Sequence, residues 1–298
     1  MKHIRISMCI LLVLIIQMCS SSLSFADVGP KPSVVLDFVG LEGEVYYVTL
    51  LADVTSTGPH SVLTEEAYSQ RVQTDDADYP IWEKFVNYAD QDGFHFLQFF
   101  GEATQTHRFV WGYYPPAKFK ILLYFPEYDQ FVVSDNMYER YAFDSYYKVD
   151  GSDLIFNNAH STQRFDVERN YYFAWELFSL GLRIVATILI EVLVAFIFGF
   201  KSKNHLKAII LVNLFTQTVL NLLLNLINYK YGNMMFVFNY LWMEMFIVVI
   251  EAKLYSSYLI EDHTSKSVNQ PILAFALTAN IVSFIIGLYI AYHIPGIF

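Results

Sequence analysis

Two kinds of hydrophobic pattern divide the chain. Up to about residue 150, short apolar and aromatic segments alternate with groups of Gly, Pro, Asn and Asp, a pattern typical of β-strands joined by turns. From about residue 177, four predominantly apolar segments each reach the roughly 20 residues that a transmembrane helix needs. The pattern predicts a mainly-β N-terminal part followed by a membrane part made of helices.

The N-terminal pattern predicts a β-sandwich at residues 27–150. The strands are expected at Ser33–Val39, 45–52, 94–100, 108–114, Lys118–Phe125, 130–134 and 141–149. One inserted helix is predicted at 79–88 and a shorter one at 65–72. The glycine-containing residues 40–43 predict a hairpin-like connection between the first two strands. The polar residues 151–176 are interpreted as a connector to the membrane.

The first 26 residues have the pattern of a secretory signal peptide. Lys2 and Arg5 precede an apolar run, and the small residues Ser24 and Ala26 fit the positions before a cleavage site. We expect cleavage before Asp27, with an uncleaved membrane anchor as the alternative. Both cysteines, Cys9 and Cys19, lie in this segment, so a mature chain would have neither disulfides nor thiol chemistry.

The second pattern predicts a four-helix transmembrane domain at 177–298. The spans are placed at about 177–200, 206–228, 235–259 and 271–292. Aromatic residues at their ends, among them Trp175, Tyr255 and Tyr258, are interpreted as interfacial belts. Lysines at 201, 203 and 207 follow the first span, which predicts that this loop is cytoplasmic and that residues 27–170 are extracytoplasmic. We therefore expect a multi-pass protein of a bacterial plasma membrane.

Charge separates the same two parts. Residues 27–170 carry 23 acidic and 10 basic residues, whereas residues 171–298 carry 6 and 7. An acidic exported part and a nearly neutral membrane part provide no electrostatic basis for binding nucleic acid. The partner that the composition indicates is the lipid bilayer, with a membrane protein or a second copy of the chain as a further expectation.

Polar residues inside the predicted spans form two groups at different depths. A charged side chain at mid-membrane costs about 2.5–3.5 kcal/mol on insertion scales, so each one needs a partner or a function. Helical spacing and depth predict an intramembrane polar site made of Glu191, Asn213, Gln217 and Glu251. The same reasoning predicts an outer polar cluster made of Arg183, Asn221 and Glu244, in which Arg183 pairs with Glu244.

Three interpretations of the intramembrane site remain open. Two acids at one depth in a low dielectric either share a proton or hold a cation. The same side chains can instead form structural hydrogen bonds between the helices, or they can form a catalytic site. The predicted spans contain no His, and the sequence has neither a Gly-x-Ser-x-Gly motif nor a Walker motif, so we favour a protein that is not an enzyme and has no cofactor. The identity of any metal stays open.

The exported part contains three weaker candidates. Asp90-Gln91-Asp92-Gly93 imitates the start of a calcium loop but lacks its later ligands, so a simple turn is favoured. The histidines at 60, 95, 107 and 160 have no metal-ligand spacing. The tyrosines of 111–116 and 138–147 fit either a sugar- or peptide-binding face or a sandwich core, and the core is favoured.

Several short motifs resemble those of an uncharacterised group of bacterial multi-pass membrane proteins with an exported N-terminal β domain. They are Gly29-Pro30-Lys31-Pro32-Ser33, Ser56-Thr57-Gly58-Pro59, Trp111-Gly112-Tyr113-Tyr114-Pro115-Pro116 with Phe119-Lys120, and Glu244…Glu251-Ala252…Tyr255. The resemblance covers most of the mature chain. It implies an envelope location and this two-part architecture, and it implies no activity.

Together these features predict an envelope protein that binds or senses a ligand through its exported domain. The alternative is proton- or cation-coupled transport through the intramembrane Glu/Asn site. A third reading, an intramembrane enzyme, would need a substrate held at that same site.

Overall fold

The computed structural model describes residues 29–65, 68, 77–155, 165–171, 173–259 and 269–293. The predicted signal peptide, most of the predicted helix at 65–72 and His160 lie outside these residues. Two compact units are present: the first comprises residues 30–171 and 229–232, and the second comprises the rest of the long C-terminal helices.

The first unit contains two sheets that share one core. The four-stranded sheet has the order β12-β11-β1-β7. Its strands are β1 Ser33–Val39, β7 Arg108–Trp111, β11 Asp144–Asp150 and β12 Asp166–Arg169. β1 runs parallel to β11 and antiparallel to β7, so both edges of β1 are paired.

The six-stranded sheet is built around β2, Tyr47–Ala52, and β8, Lys118–Phe125. These two strands pair antiparallel over six residues each. Two short strands, β5 His95–Phe96 and β6 Gly101–Glu102, pair with β2, and two others, β9 Gln130–Val133 and β10 Tyr138–Glu139, pair with β8. A separate two-residue ladder joins β3 Ser56–Thr57 to β4 His60–Ser61.

The core between the sheets uses alternate residues of each strand. Leu36, Leu50, Trp111 and Ile121 are fully buried in it. The opposite face of the six-stranded sheet is covered by α1, Tyr79–Asn87, which packs Phe85 against Leu51, Leu122 and other residues of that face. Because β8 is covered on both faces, seven of its eight residues are buried in an unbroken run.

The predicted hairpin between the first two strands is wrong. β1 and β2 lie in different sheets, so residues 40–43 cross from one sheet to the other. The physical reason is that β11 and β7 already occupy both edges of β1, which leaves no edge for β2. Four residues of the predicted connector also form a strand, β12, at the edge of the first sheet.

Four helices lie among the described residues of the second unit. They are α2 Phe173–Ile197, α3 Lys203–Tyr231, α4 Asn233–Tyr258 and α5 Asn269–His293. Glycines with positive φ, Gly199 after α2 and Gly232 after α3, terminate the first two. Among the described residues, α2, α3 and α4 are long and apolar enough to cross a membrane, whereas the apolar stretch of α5, Pro271–Gly287, is shorter. This composition indicates a membrane protein.

Candidate functional site

Two glutamates are fully buried in the second unit. Glu191 lies on α2 and Glu251 on α4, and neither side chain is accessible to solvent or, by the same measure, to lipid. Glu251 and Tyr255 are one turn apart on α4, and Asn213 and Thr216 are one turn apart on α3, so each helix presents a polar pair on one face.

Glu191 is held by neighbours from two other helices. Its Oε2 accepts a hydrogen bond from Nδ2 of Asn213 at 2.5 Å and one from the hydroxyl of Tyr255 at 3.1 Å. Nδ2 of Asn213 also lies 2.7 Å from the Tyr255 hydroxyl oxygen. One carboxylate oxygen therefore ties together α2, α3 and α4.

Glu251 is held in a similar way by α3 and α5. Its Oε1 accepts a hydrogen bond from the hydroxyl of Thr216 at 2.6 Å, and its Oε2 accepts one from Nδ2 of Asn280 at 2.6 Å. Together the two glutamates and their four partners connect all four helices. The inner carboxylate cluster is defined here as Glu191, Asn213, Thr216, Glu251, Tyr255 and Asn280.

Three oxygens of the inner carboxylate cluster have no hydrogen-bond partner: Oε1 of Glu191, Oδ1 of Asn213 and Oδ1 of Asn280. A buried acceptor without a donor costs about 1–3 kcal/mol, and more when it is charged. Among the described residues, no ion pair involves Glu191 or Glu251. The cluster therefore has the chemistry of a site for a proton or a hard cation.

The outer polar residues line a cavity of about 20 Å³. This cavity is called the outer cavity below. Its polar lining residues are Arg183, Thr187, Gln217, Asn221, Tyr240, Glu244 and Ser283, and Leu224, Phe236 and Gly287 complete the lining. The predicted ion pair is wrong: Nη2 of Arg183 donates to Oδ1 of Asn225 at 3.2 Å, and these described side chains form no Arg183–Glu244 pair. Oε2 of Glu244 has no hydrogen-bond partner.

The structure therefore divides the predicted site residues differently from the sequence. It brings Glu191 and Asn213 into contact and places Glu251 beside their helices, but Gln217 lines the outer cavity with Asn221 instead. Amide Nδ2 of Asn221 donates to the backbone oxygen of Gln217, one turn away, at 2.8 Å.

Two residues of the inner carboxylate cluster were missed. Tyr255 was assigned to an interfacial belt, which is wrong because its ring is fully buried and its hydroxyl contacts Glu191. Asn280 was not considered, although an amide in the middle of an apolar segment is the same signal that singled out Asn213. The spacing of Tyr255 from Glu251, one helical turn, could have indicated a shared face.

In the β-sheet unit, the turn at residues 90–93, whose sequence resembles the start of a calcium loop, binds the ammonium group of Lys120. Nζ of Lys120 lies 3.1 Å from Oδ1 of Asp90 and also bonds Asp92. Oδ2 of Asp90 accepts the backbone N–H of Asp92 and of Phe94, which closes the turn. Burial by itself lowers the pKa of Lys120, but the hydrogen bonds with Asp92 and Asp90 outweigh it, so the pKa is raised. Among the described residues, no group of three His, Cys, Asp or Glu could hold a metal ion.

The aromatic candidates divide between core and surface. Trp111 and Tyr147 belong to the core between the sheets, and Tyr113 is 41% exposed. Lys31 lies over the ring of Tyr114 at 5.2 Å, and the same ring packs so closely on Gly58 that a Cβ there would lie 2.7 Å from it. Three of the short motifs thus meet at Tyr114.

Comparison with known proteins adds no relative. No protein-family model, no curated protein sequence and no solved structure matches the chain.

Proposed function

We propose that this chain is a membrane transporter that carries protons across the bilayer, and that the inner carboxylate cluster binds the proton on its way. The observation that carries the proposal is the burial of two carboxyl groups that are hydrogen-bonded only to neutral side chains. An ionised carboxylate buried without a counter-charge is costly by several kcal/mol, and a proton removes that cost at once.

Two acceptor oxygens without hydrogen-bond donors, one on Glu191 and one on Asn213, favour a proton over a metal cation as the bound species. Oε2 of Glu191 already accepts from the amide of Asn213, while Oε1 of Glu191 and Oδ1 of Asn213 lack donors. A proton on Oε1 is the donor that this pair of groups needs to form its second hydrogen bond. The titratable groups that face Glu191 are Tyr255 and Glu251 of α4, whereas α3 and α5 contribute neutral groups.

A purely structural role explains these residues less well. Helices that need only interhelical hydrogen bonds are served by amides and hydroxyls, each bond contributing about 0.6 kcal/mol. Gln at position 191 would keep an acceptor for the same donors without burying a charge, because both donors bond only Oε2 of Glu191. The acidic group is therefore the feature that needs a function.

The membrane topology belongs to the same proposal. A signal peptide at 1–26 would export residues 27–170, α2 to α5 would each cross the bilayer, and the loop with Lys201, Lys203 and Lys207 would lie in the cytoplasm of a bacterium. In this topology Glu191 and Glu251 lie in the cytoplasmic half of the membrane and the outer cavity in the other half.

Voltage-driven proton uptake by proteoliposomes tests the proposal. The full chain is reconstituted with a pH-sensitive dye inside, and a K⁺ diffusion potential drives the flux. We expect uptake above that of protein-free vesicles, and a loss of at least about tenfold in Glu191→Gln and Glu251→Gln, whereas Glu176→Gln, a matched change outside the inner carboxylate cluster, keeps it.

Three results would contradict the proposal. Wild-type uptake equal to that of empty vesicles, or full uptake by folded Gln variants, would exclude proton transfer through the cluster. Flux that follows a Na⁺ or K⁺ gradient at constant pH would assign the cluster to a metal cation instead. Failure of both Gln variants to accumulate in membranes, with Glu176→Gln normal, would make the cluster structural.

Ligand recognition by the exported β domain is the second candidate function. The observation that favours it is the meeting of Lys31, Gly58 and Tyr114 beside the exposed Tyr113. Aromatic faces next to a cation suit sugars or peptides. Screening the full chain against glycan and peptide libraries tests this, with Tyr113→Ser expected to abolish any hit and Tyr68→Ser, another exposed tyrosine, expected to keep it.

A further inference from the structure

All four helices contribute to the outer cavity. Arg183 comes from α2, Gln217 and Asn221 from α3, Tyr240 and Glu244 from α4, and Ser283 from α5. The two charged side chains, Arg183 and Glu244, are each more than nine-tenths buried. The cavity is therefore a space inside the helical unit to which each of these four helices contributes polar groups.

Its size and its lining fit water. About 20 Å³ exceeds the roughly 10–15 Å³ that one water molecule needs, and cavities that stay empty are apolar. Oε2 of Glu244 faces this space without a hydrogen-bond partner. A water molecule there would satisfy Glu244 and have further polar partners in Gln217, Asn221 and Ser283.

The outer cavity also lines up with the inner carboxylate cluster. On α4, Glu244 precedes Glu251 by two turns, which is about 10 Å along the axis, and on α3 Gln217 follows Asn213 by one turn. On α5, the hydroxyl of Ser283 donates to the backbone oxygen of Asn280 at 3.0 Å, and Asn280 in turn bonds Glu251. On α3 and α5 a polar residue of the cavity thus lies within one turn of a residue of the cluster, whereas on α4 six apolar residues separate Glu244 from Glu251.

We propose that the outer cavity is the water-filled entrance for the proton and that Glu244 is its first acceptor. This inference rests on the proposed function and adds a direction and an entry residue to it. Oε2 of Glu244 takes a proton from a hydronium ion, which leaves as water, and the carboxyl then returns the proton to a cavity water. Glu251 does not line the cavity, so this proton has to move inward past Gln217 or Ser283 before the inner carboxylate cluster accepts it.

Arg183 gives the entrance its selectivity. Its guanidinium lines the same small space and opposes a resident metal cation there, whereas a proton crosses as a covalent O–H bond that moves between neighbours. The other titratable group that faces Glu244 is Tyr240 on α4. α3 and α5 present the neutral Gln217, Asn221 and Ser283.

Cysteine accessibility tests whether the cavity holds water. Both native cysteines lie at positions 9 and 19, so Cys9→Ser with Cys19→Ser gives a background without thiols. In full-length protein in vesicles, we expect hydrogen peroxide, which is little larger than a water molecule and oxidises ionised thiols, to oxidise Ser283→Cys. Thr278→Cys, an exposed position on the same apolar helix, should stay unmodified because a thiol in hydrocarbon does not ionise. An unreactive Ser283→Cys would overturn the water-filled entrance.

Proton uptake tests the role of Glu244. We expect Glu244→Gln to lose about tenfold in uptake and Glu244→Asp to recover part of it, while Asn239→Ala is unchanged. Asn239 is a suitable control because its amide bonds only the backbone of Met235 on its own helix. Full uptake by Glu244→Gln would remove Glu244 from the path.

Carbodiimide labelling separates this inference from the proposed function. Carbodiimides react with protonated carboxyls in apolar surroundings, so mass spectrometry reports which glutamate carries a proton. In Glu244→Gln, labelling of Glu191 or Glu251 should persist at equilibrium although uptake falls. No labelling of either residue in the wild type would contradict the proposed function, whatever Glu244 does.

Discussion

The two units bury charge in opposite ways. In the β-sheet unit the ammonium of Lys120 is buried beside Asp90, whose side chain is only 1% exposed, so the charges neutralise each other. In the helical unit Glu191 and Glu251 are buried just as completely but are bonded only to amide and hydroxyl groups. The first arrangement pairs opposite charges, whereas the second buries two carboxyl groups without a basic partner.

The largest expected effect on stability concerns the buried ion pair of Lys120 and Asp90. Lys120→Ala leaves Asp90 buried without its cation, and we expect it to lower the free energy of unfolding by about 3–5 kcal/mol. Denaturant unfolding of the full chain in detergent, followed by near-ultraviolet circular dichroism, measures this. Lys84→Ala is the control, because Lys84 and Asp129 form an exposed pair that contributes less than about 1 kcal/mol. Equal effects of the two variants would contradict the distinction.

Alkaline pH should lower the free energy of unfolding of the β-sheet unit, because a buried tyrosine of its core gives up its proton more readily in the unfolded chain. Burial raises the pKa of Tyr147 to about 12, against about 10 in an unfolded chain. A raised pKa stabilises the fold fully below pH 10, and this contribution is lost as the pH rises towards 12. Unfolding scans between pH 9 and 12 should show this loss, and Tyr147→Phe should reduce it. Tyrosinate absorbance of the folded protein that rises fully near pH 10 would contradict the prediction.

A smaller effect is expected when one donor of the inner carboxylate cluster is removed. Tyr255→Phe deletes the hydroxyl that donates to Glu191 but keeps the buried ring, so we expect a loss of about 1 kcal/mol in stability. Thermal unfolding in detergent, followed by size-exclusion chromatography, measures it. Tyr258→Phe serves as the control, because Tyr258 is 57% exposed. A loss as large as that of Lys120→Ala would mean that Glu191 depends on Tyr255 as a buried ion depends on its counter-ion.

The smallest effect on stability is expected for Glu191→Gln. The amide oxygen of the new glutamine can still accept from Asn213 and Tyr255, and its amide N–H can donate to Oδ1 of Asn213. Stability should therefore change by less than about 1 kcal/mol, while proton uptake is lost. Unfolding and uptake measured on the same preparation decide this. A Glu191→Gln variant that is strongly destabilised but takes up protons as the wild type does would contradict this prediction.

Local patterns predicted the individual elements well. β1 and β8 occupy the residues that their apolar and β-branched runs indicated, Ser33–Val39 and Lys118–Phe125, and α1 ends one residue before its predicted limit. The predicted strand at 94–100 was wrong in extent, since only His95–Phe96 pairs there before the chain turns to β6. Short strands such as β6, β10 and β12 carry too few residues for a period of two to be visible.

Pairing between distant segments could not be predicted in the same way. The parallel contact of β1 with β11 joins residues more than a hundred positions apart, and together with the pairing of β1 with β7 it leaves no edge of β1 for the predicted hairpin at residues 40–43. In the helical unit, depth along each helix indicated Glu191, Asn213 and Glu251, but the rotation of α3 placed Gln217 in the outer cavity. Tyr255 and Asn280 joined the inner carboxylate cluster through contacts between helices.

The sequence by itself determined which residues are polar within long apolar segments and at what depth they lie, because a fixed rise per residue converts position into depth. Only the tertiary structure decided which of them meet. Contacts between side chains on different helices depend on how each helix is rotated and packed against its neighbours. The periodicity of the sequence within one helix does not specify either of these. That is why Glu191 and Glu251 were visible in the sequence, whereas their partners and the cavity beside Glu244 were not.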